Sequence, residues 1–128
     1  MRLLLDTNRY RDFCAGNSHA VERMQQAEGI YIPFVTLAEL RAGFLCGTVA
    51  RKNESNLIKF LNRPRVEILY ADEGTTHHYA RIFYQLRTQG TPIPTNDMWI
   101  AALSVQHNML LFSRDSHFDH LPQLPRVD

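Results

Sequence analysis

The sequence predicts a three-layer α/β/α fold built around a mainly parallel central sheet. Short apolar runs alternate along the chain with longer segments whose apolar residues recur at helical spacing, which is typical of parallel strands joined by helices. The apolar runs are continuous instead of alternating with polar residues, as in strands buried on both faces. With 128 residues and no visible linker or repeat, we expect one domain spanning residues 1–128.

The elements of the first half follow from apolar runs, helical spacing and capping residues. In order, the patterns predict a strand at residues 3–5, a helix ending at Gly16, a helix capped by Ser18, a strand at 30–32 closed by Pro33, and a helix from Thr36 through Leu45. Thr36 and Glu39 also fit a capping box, in which the Glu39 carboxylate would reach back to the Thr36 amide. A purely structural role for Glu39 is therefore an open alternative.

The second half continues the same alternation. The patterns predict a helix over 49–63, a strand at 66–70 and a helix from Thr75 to Gln89, followed by a helix from about Thr95 to His107, a strand at 109–112, a helical turn at 116–120 and a weak strand near Val127. The first of these helices is expected to bury Leu57, Ile58, Phe60 and Leu61. The second has Tyr79, Ala80, Phe83 and Leu86 at helical spacing. Thr95 or Asn96 is suited to cap the helix that contains Asp97, and Asn108 is suited to a left-handed cap. Asp97 alone could be a capping acid that complements the helix dipole.

Composition excludes some classes of protein and leaves others open. The net charge is +1, so a nucleic-acid binder would have to use a local patch. Cys14 and Cys46 are far apart and form no C-x-x-C pair, which favours a reduced, cytoplasmic protein. The start of the chain is too short for a signal peptide and no apolar run is long enough to span a membrane. Six basic residues between positions 41 and 65 indicate either a solvated face or a phosphate contact.

Four acids are predicted to meet at one edge of the sheet. Asp6 and Asp115 directly follow strands, and Glu39 and Asp97 enter helices after loops. The C-terminal ends of parallel strands share one edge, where open α/β sheets bind their ligands. Two carboxylates about 4 Å apart repel by about 4 kcal/mol at an effective dielectric constant of about 20, so the cluster requires a cation. We expect Mg²⁺, or Mn²⁺ as a substitute, and a raised pKa for at least one acid without metal.

Such a cluster suits hydrolysis of a phosphodiester. One divalent ion makes water a better nucleophile, and a second stabilises the leaving oxygen. No Ser–His or Cys–His pair stands out. Zinc is disfavoured, because His77 and His78 are adjacent and the other histidines lack an H-x-x-x-H spacing. An aspartyl-phosphate phosphatase would need a second acid where Asn8 stands.

The chain resembles a known family. The residues that carry the resemblance are Leu-Leu-Asp-Thr-Asn at 4–8, Thr-Leu-Ala-Glu-Leu-Arg at 36–41, Thr-Asn-Asp-Met-Trp-Ile-Ala-Ala at 95–102 and Ser-Arg-Asp-Ser-His-Phe-Asp at 113–119. Together, in this order and at this spacing, they are similar to PIN-domain ribonucleases, and most of all to the VapC-type toxins of bacterial toxin–antitoxin pairs. The resemblance covers nearly the whole chain.

The resemblance implies Mg²⁺-dependent endonucleolytic cleavage of RNA by metal-activated water. It implies partners as well: a second copy of the chain in a homodimer, and a small antitoxin that covers the active-site groove. The implied catalytic and metal-binding acids are Asp6, Glu39, Asp97 and Asp115, with Asp119 as a less regular acid of the metal site and Asn8, Ser113 and Asn96 as supporting polar residues. The alternative is a PIN-like module that binds RNA or protein without catalysis.

The chain departs from the family pattern directly after Asn8. Apolar residues are usual there, whereas this chain has Arg9, Tyr10, Arg11 and Asp12. Arg9, Arg11 and Arg114 are candidates for binding RNA phosphates through paired hydrogen bonds. They could equally be ordinary surface charges or contacts to an antitoxin.

Overall fold

The computed structural model describes all 128 residues and contains a single five-stranded sheet. All strand pairs are parallel, and the spatial order is β3-β2-β1-β4-β5. The strands are β1 (Arg2–Leu5), β2 (Gly29–Pro33), β3 (Val66–Leu69), β4 (Leu110–Phe112) and β5 (Arg126–Val127). The predicted parallel sheet is therefore confirmed, and the weak last strand exists.

Six α-helices and one 3₁₀ turn connect the strands. They are α1 (Thr7–Cys14), α2 (Ser18–Gln26), α3 (Phe34–Cys46), α4 (Ala50–Leu61), α5 (Glu73–Gln89), α6 (Thr95–His107) and the 3₁₀ turn at Ser116–His120. None of the helices combines the length and the apolar character that crossing a lipid bilayer requires. Cys14 and Cys46 are both free and exposed.

Two hydrophobic clusters cover the two faces of the sheet. In the central strand β1, Leu4 packs into the cluster formed mainly with α5 and α6, whereas Leu3 and Leu5 pack into the cluster formed with α1 to α4. Successive side chains of a strand point to opposite faces, so a strand covered on both sides must be apolar throughout. All three leucines are fully buried, and the three-layer α/β/α prediction is confirmed.

The direction of chain growth across the sheet reverses at β1. The chain passes from β1 to β2 and β3 on one side, and then returns to place β4 and β5 on the other side. Open α/β sheets have a crevice at such a reversal, outside the C-terminal ends of the strands. Here Asp6 follows β1 and Ser113 follows β4, so both residues lie at this crevice.

Three predicted helix caps or starts are wrong by one or two residues, although α6 itself spans Thr95–His107 as predicted. Asn17, not Ser18, caps α2, because its side-chain oxygen accepts the Ala20 N–H at 3.0 Å. The helix predicted from Thr75 begins at Glu73, and Asp72 caps it. Neither Thr95 nor Asn96 caps α6, because the helix begins directly after Pro94 and includes both residues in its first turn.

The capping box predicted for Thr36 and Glu39 is also wrong. Helix α3 begins two residues earlier, at Phe34, so Thr36 already lies inside the helix. The Thr36 hydroxyl is buried and donates to the carbonyl oxygen of Leu5 at 3.2 Å. A tertiary contact to the end of β1 therefore takes the place of the local cap.

Some predicted apolar faces are rotated from the observed ones. Ile58 and Phe83 are each 46% exposed, and Ala80 is exposed as well, whereas Ile82 is buried. Neighbouring residues of a helix point about 100° apart, so a helix that buries Leu57 and Phe60 turns Ile58 towards solvent. The left-handed conformation expected at Asn108 is present, with φ of 52°, and Gly90 ends α5 in the same conformation, with φ of 71°.

Candidate active site

The structure brings the four predicted acids to one edge of the sheet, outside the C-terminal ends of the strands. We call this edge, with Asp6, Glu39, Asp97, Asp115 and the residues that contact them, the rim. Asp6 caps the N-terminus of α1, and Asp97 lies in the first turn of α6. Asp115 caps the 3₁₀ turn that follows β4, and Glu39 lies in α3 after β2. The charges of Asp6 and Asp97 both act on Glu39, and the charge of Asp115 acts on Asp6 and Asp97. Residues far apart in sequence thus share one electrostatic environment.

Asp6 is the buried acid at the centre of this rim. Its side chain is only 4% exposed. One oxygen accepts the Thr7 N–H at 2.8 Å, and the other accepts the Ser113 hydroxyl at 2.6 Å. Burial raises the pKa of Asp6, the bonds from Ser113 and Thr7 lower it in part, and the charge of Asp115 raises it further. The position of the carboxylate is fixed by two donors, and its charge remains unfavourable without a cation.

Ser113 connects three other residues of the rim. Besides donating to Asp6, its hydroxyl oxygen accepts the Asp115 N–H at 3.1 Å and the Asn8 amide at 3.4 Å. The Asn8 oxygen in turn accepts the Arg114 N–H at 3.1 Å. These bonds fasten the loop after β4 to the first turn of α1. The third predicted polar residue, Asn96, is exposed on α6.

Glu39 reaches the rim from α3. The Thr36–Leu5 bond fixes the start of α3 at the end of β1, and Glu39 follows Thr36 by three residues, which is close to one helical turn. Its carboxylate accepts the Thr7 hydroxyl at 3.3 Å. Burial raises the pKa of Glu39, and the negative charges of Asp6 and Asp97 raise it further.

Asp97 and Asp115 share a third partner, His117. The His117 Nδ1 lies 2.8 Å from an oxygen of Asp97 and 3.0 Å from an oxygen of Asp115. One potential ligand atom from each residue lies within 4.8 Å of the other two. Burial raises the pKa of Asp97, the bond from His117 lowers it in part, and nearby acids raise it. The hydrogen bond to Asp97 is the main reason why the pKa of His117 is raised.

The predicted pKa shift is confirmed, but its main cause differs from the expected one. Asp6, Glu39 and Asp97 all have raised pKa values. We expected repulsion between carboxylates to dominate, whereas burial is the largest cause for each of the three. The reason is that the rim lies directly against the core, where water is partly excluded.

The predicted residue set omitted His117, Thr7 and Thr36. His117 lacks the sequence spacing of a zinc ligand, and its contacts are two acids, Asp97 from α6 and Asp115 at the start of its own turn. The available signal was its position two residues after Asp115, at the start of a helical turn. Thr7 and Thr36 gave no signal beyond the local motifs that contain them.

The remaining candidates have partners outside the rim. Asp119 is exposed and accepts the Arg126 guanidinium at 2.6 Å. The Arg114 guanidinium makes two bonds to Asp12, at 2.7 and 2.8 Å, and Arg9 makes a third at 3.2 Å. Arg9 also lies over the Phe112 ring, 4.6 Å from its centre.

Arg11 is exposed on α1, and its positive charge acts on Glu39. In the basic segment at 41–65, several residues stabilise the fold. Arg41 pairs with Glu54 at 3.0 Å, and the Arg63 guanidinium lies 5.3 Å from the centre of the Phe13 ring. Arg65 donates to the Met24 carbonyl at 3.3 Å.

The donor set of the rim fits a hard divalent cation. Most of its potential ligand atoms are carboxylate oxygens, which Mg²⁺ and Mn²⁺ prefer. No lysine or arginine forms an ion pair with Asp6, Glu39 or Asp97. Buried acids without a basic partner are unfavourable unless a cation compensates them.

Comparison with known proteins places this arrangement in a family. Residues 3–124 match the PIN domain. Ribonuclease VapC4 of Mycobacterium tuberculosis is 30% identical over 93 residues, which cover 73% of this chain and 72% of the relative. The plasmid stability protein StbB of Pseudomonas syringae pv. tomato is 31% identical over 126 residues, which cover 89% of this chain and 88% of the relative.

Solved structures give the same result. The chain aligns with VapBC-1 from nontypeable Haemophilus influenzae at a TM-score of 0.88 and 26% identity, over 100% of this chain and 98% of the other. It aligns with VapBC2 from Rickettsia felis, solved with a DNA fragment from the promoter, at a TM-score of 0.87 and 25% identity, over 99% and 98% of the two chains. This chain therefore belongs to the PIN-domain family, in its VapC ribonuclease branch.

Proposed function

We propose that this protein is a divalent-metal-dependent endoribonuclease that acts as the toxin of a toxin–antitoxin pair and uses Mg²⁺, with Mn²⁺ as a substitute. The observation that carries the proposal is the rim itself, where Asp6, Glu39, Asp97 and Asp115 converge without a lysine or arginine among them. The ribonuclease names of its relatives agree with this chemistry.

The rim residues have separate tasks. Asp6, Glu39, Asp97 and Asp115 hold the metal, and Ser113 fixes the orientation of the Asp6 carboxylate through its short bond. When bound, divalent ions supply a more acidic water for attack on a phosphodiester and stabilise the leaving oxygen. The chain then needs no nucleophile of its own, and the Ser113 hydroxyl serves to orient Asp6.

Three of the acid and arginine assignments have weaker support. Asp119 is already paired with Arg126, so it would bind metal only after that pair separates. Arg9 and Arg114 both pair with Asp12, which compensates part of their positive charge and weakens their attraction to RNA phosphates. Arg11 has no such partner and acts on Glu39, so it is the arginine best suited to an RNA phosphate near the rim.

The proposed partners are an RNA substrate, a cognate antitoxin and a second copy of the chain in a homodimer, in the cytoplasm. The VapBC proteins among its structural neighbours support the antitoxin. Exposed apolar side chains support contacts with other proteins: Leu45 and Ile58 on α3 and α4, and Phe83 and Tyr84 on α5.

Cleavage of RNA by acid-to-amide variants tests the proposal. Asp6→Asn and Asp97→Asn keep the shape of each side chain but remove a metal-binding charge. We expect each to reduce cleavage at least about a hundredfold, since even outer partners of a metal account for about 10- to 100-fold. Glu22→Gln makes the same chemical change on the exposed face of α2 and should cleave as the unmodified protein does.

The same assay separates the enzyme from the alternative, a PIN-like module that only binds RNA or protein. Unchanged cleavage in both aspartate variants would show that the rim is not the active site. No cleavage by the unmodified protein with either Mg²⁺ or Mn²⁺, together with retained RNA binding, would favour the binding module.

A further inference from the structure

The 3₁₀ turn holds His117 in a defined position beside the rim. Asp115 caps this turn, and its oxygen accepts the His117 N–H at 2.9 Å. The next residue, Phe118, is fully buried in the core cluster of α5 and α6. The backbone of His117 is therefore anchored on both sides, by the acid before it and by the aromatic ring after it.

The imidazole reaches the two acids from the solvent side. Its Nδ1 lies 2.8 Å from Asp97 and 3.0 Å from Asp115, while the side chain remains 46% exposed. Neighbouring ligands of a six-coordinate ion at about 2.1 Å are about 3 Å apart. The nitrogen therefore has the spacing of an adjacent ligand to each oxygen, the two oxygens lie within 4.8 Å of each other, and a small outward shift would make room for an ion among them.

A nitrogen ligand changes which ion a site prefers. Mg²⁺ strongly favours oxygen ligands, whereas imidazole nitrogen is a good ligand for transition metals. Mn²⁺ accepts the same carboxylates as Mg²⁺ and, as a transition metal, gains more than Mg²⁺ from an added imidazole. We propose that His117 is a metal ligand of the rim through Nδ1, and that it shifts the preference of the site from Mg²⁺ towards Mn²⁺.

The competing interpretation is that His117 only hydrogen-bonds to the two acids and never contacts the ion. Both interpretations predict some loss of metal affinity when His117 is replaced. They differ in the atoms bound to the metal, because only a ligand histidine places nitrogen directly on it. The proposal rests on the metal site of the proposed function, so its test must report on metal binding separately from cleavage.

Electron spin echo spectroscopy of the full chain loaded with Mn²⁺ alone gives that report. We expect modulation from a directly bound imidazole nitrogen in the unmodified protein. The modulation should disappear in His117→Gln and persist in His120→Gln, which changes an exposed histidine of the same turn. Bound Mn²⁺ without nitrogen modulation in the unmodified protein would overturn the proposal, even if cleavage depends on the four acids.

Calorimetry with each ion alone gives the second report. His117→Gln should weaken Mn²⁺ binding by about tenfold and Mg²⁺ binding by less than about threefold, because the amide oxygen can still serve Mg²⁺. An equal loss for both ions would overturn the proposal and leave the metal site of the four acids intact. Failure of the unmodified protein to bind either ion would overturn the proposed function and this proposal together.

Discussion

Helix α1 carries two kinds of acidic site within two turns. Asp6, at its start, has no basic partner, and burial raises its pKa. Asp12, near its end, accepts bonds from Arg114 and Arg9, and these bonds, that of Arg114 first, lower its pKa. Both carboxylates are fixed by hydrogen bonds to residues from the loop after β4 or from α1 itself.

The difference shows how the same residue type serves two purposes. At Asp12 the chain supplies its own positive charge, so the carboxylate stabilises the fold at neutral pH. At Asp6 and Glu39 the chain supplies hydrogen-bond donors but no basic partner, and at Asp97 the only basic partner is the half-exposed His117, so burial leaves the charge of all three carboxylates unfavourable without a further cation. The contrast between Asp12, which two arginines neutralise, and these three acids, which no lysine or arginine pairs, is the main support for a metal site in this chain.

Ser113→Ala should have the largest effect among changes that leave the acids in place. It removes the 2.6 Å donor to Asp6 and an acceptor for the Asp115 N–H, so two rim residues lose their orientation. We expect a 10- to 100-fold loss of cleavage, roughly the range for outer partners of a metal, measured at saturating metal. Arg114→Gln, which alters only the Asp12 site, should lose much less. Equal losses of cleavage in the two variants would contradict the assignment of the metal site to the Asp6 region and not to the Asp12 region.

When a chelator removes metal, loss of one acid from each region should change the free energy of unfolding in different directions. Asp12→Asn removes the charge that holds Arg114 and Arg9, and we expect a loss of about 1 kcal/mol because Arg114 is half exposed. Asp97→Asn removes a buried charge whose only basic partner is the half-exposed His117, and its amide oxygen can still accept from His117, so stability should stay equal or rise. Urea denaturation at neutral pH measures both. A clear loss of stability in Asp97→Asn would mean that its charge is already compensated.

The stability differences of Asp97→Asn and Asp12→Asn from the unmodified protein should also depend on pH. These changes with pH should be smaller, and the two variants should change in opposite directions. The raised pKa of Asp97 contributes stability that is present below the ordinary aspartate pKa of about 3.9 and is lost as the pH rises through the folded pKa. The lowered pKa of Asp12 contributes stability above about pH 3.9 that is lost as the pH falls through its folded pKa.

From about pH 3 to about pH 7 in chelator, the advantage of Asp97→Asn over the unmodified protein should therefore grow. The deficit of Asp12→Asn should grow over the same interval, because Asp12 becomes charged and paired. Urea titrations at several pH values measure both trends. Parallel trends in the two variants would contradict the assigned pKa directions.

Sequence patterns predicted the sheet and the convergence of the four acids, because both depend on the order of strands and helices along the chain. Buried parallel strands are continuous apolar runs, and their C-terminal ends share an edge whatever lies between them. Asp6 and Asp115 directly follow such runs, so their position needs no knowledge of distant contacts. The rim could therefore be predicted before its distances were known.

The contacts that were missed join residues far apart in the chain. Arg114 and Asp12 are separated by 102 positions, and no local pattern indicates that they pair. His117 is separated from Asp97 by 20 positions and lies on a different element. The T-x-x-E pattern at Thr36 was misleading because the Thr36 hydroxyl donates to the carbonyl oxygen of Leu5, 31 positions away, and does not cap its own helix. Tertiary contacts decided each of these cases.

Anomalous diffraction from crystals of the protein grown with Mn²⁺ tests the metal assignment most directly. We predict an anomalous peak on the rim, within coordination distance of oxygens from Asp6 and Asp97, and no peak beside Asp12. A peak at another surface, or a rim without any peak when the crystals contain Mn²⁺ well above its dissociation constant, would contradict the assignment of the unpaired acids as a metal site.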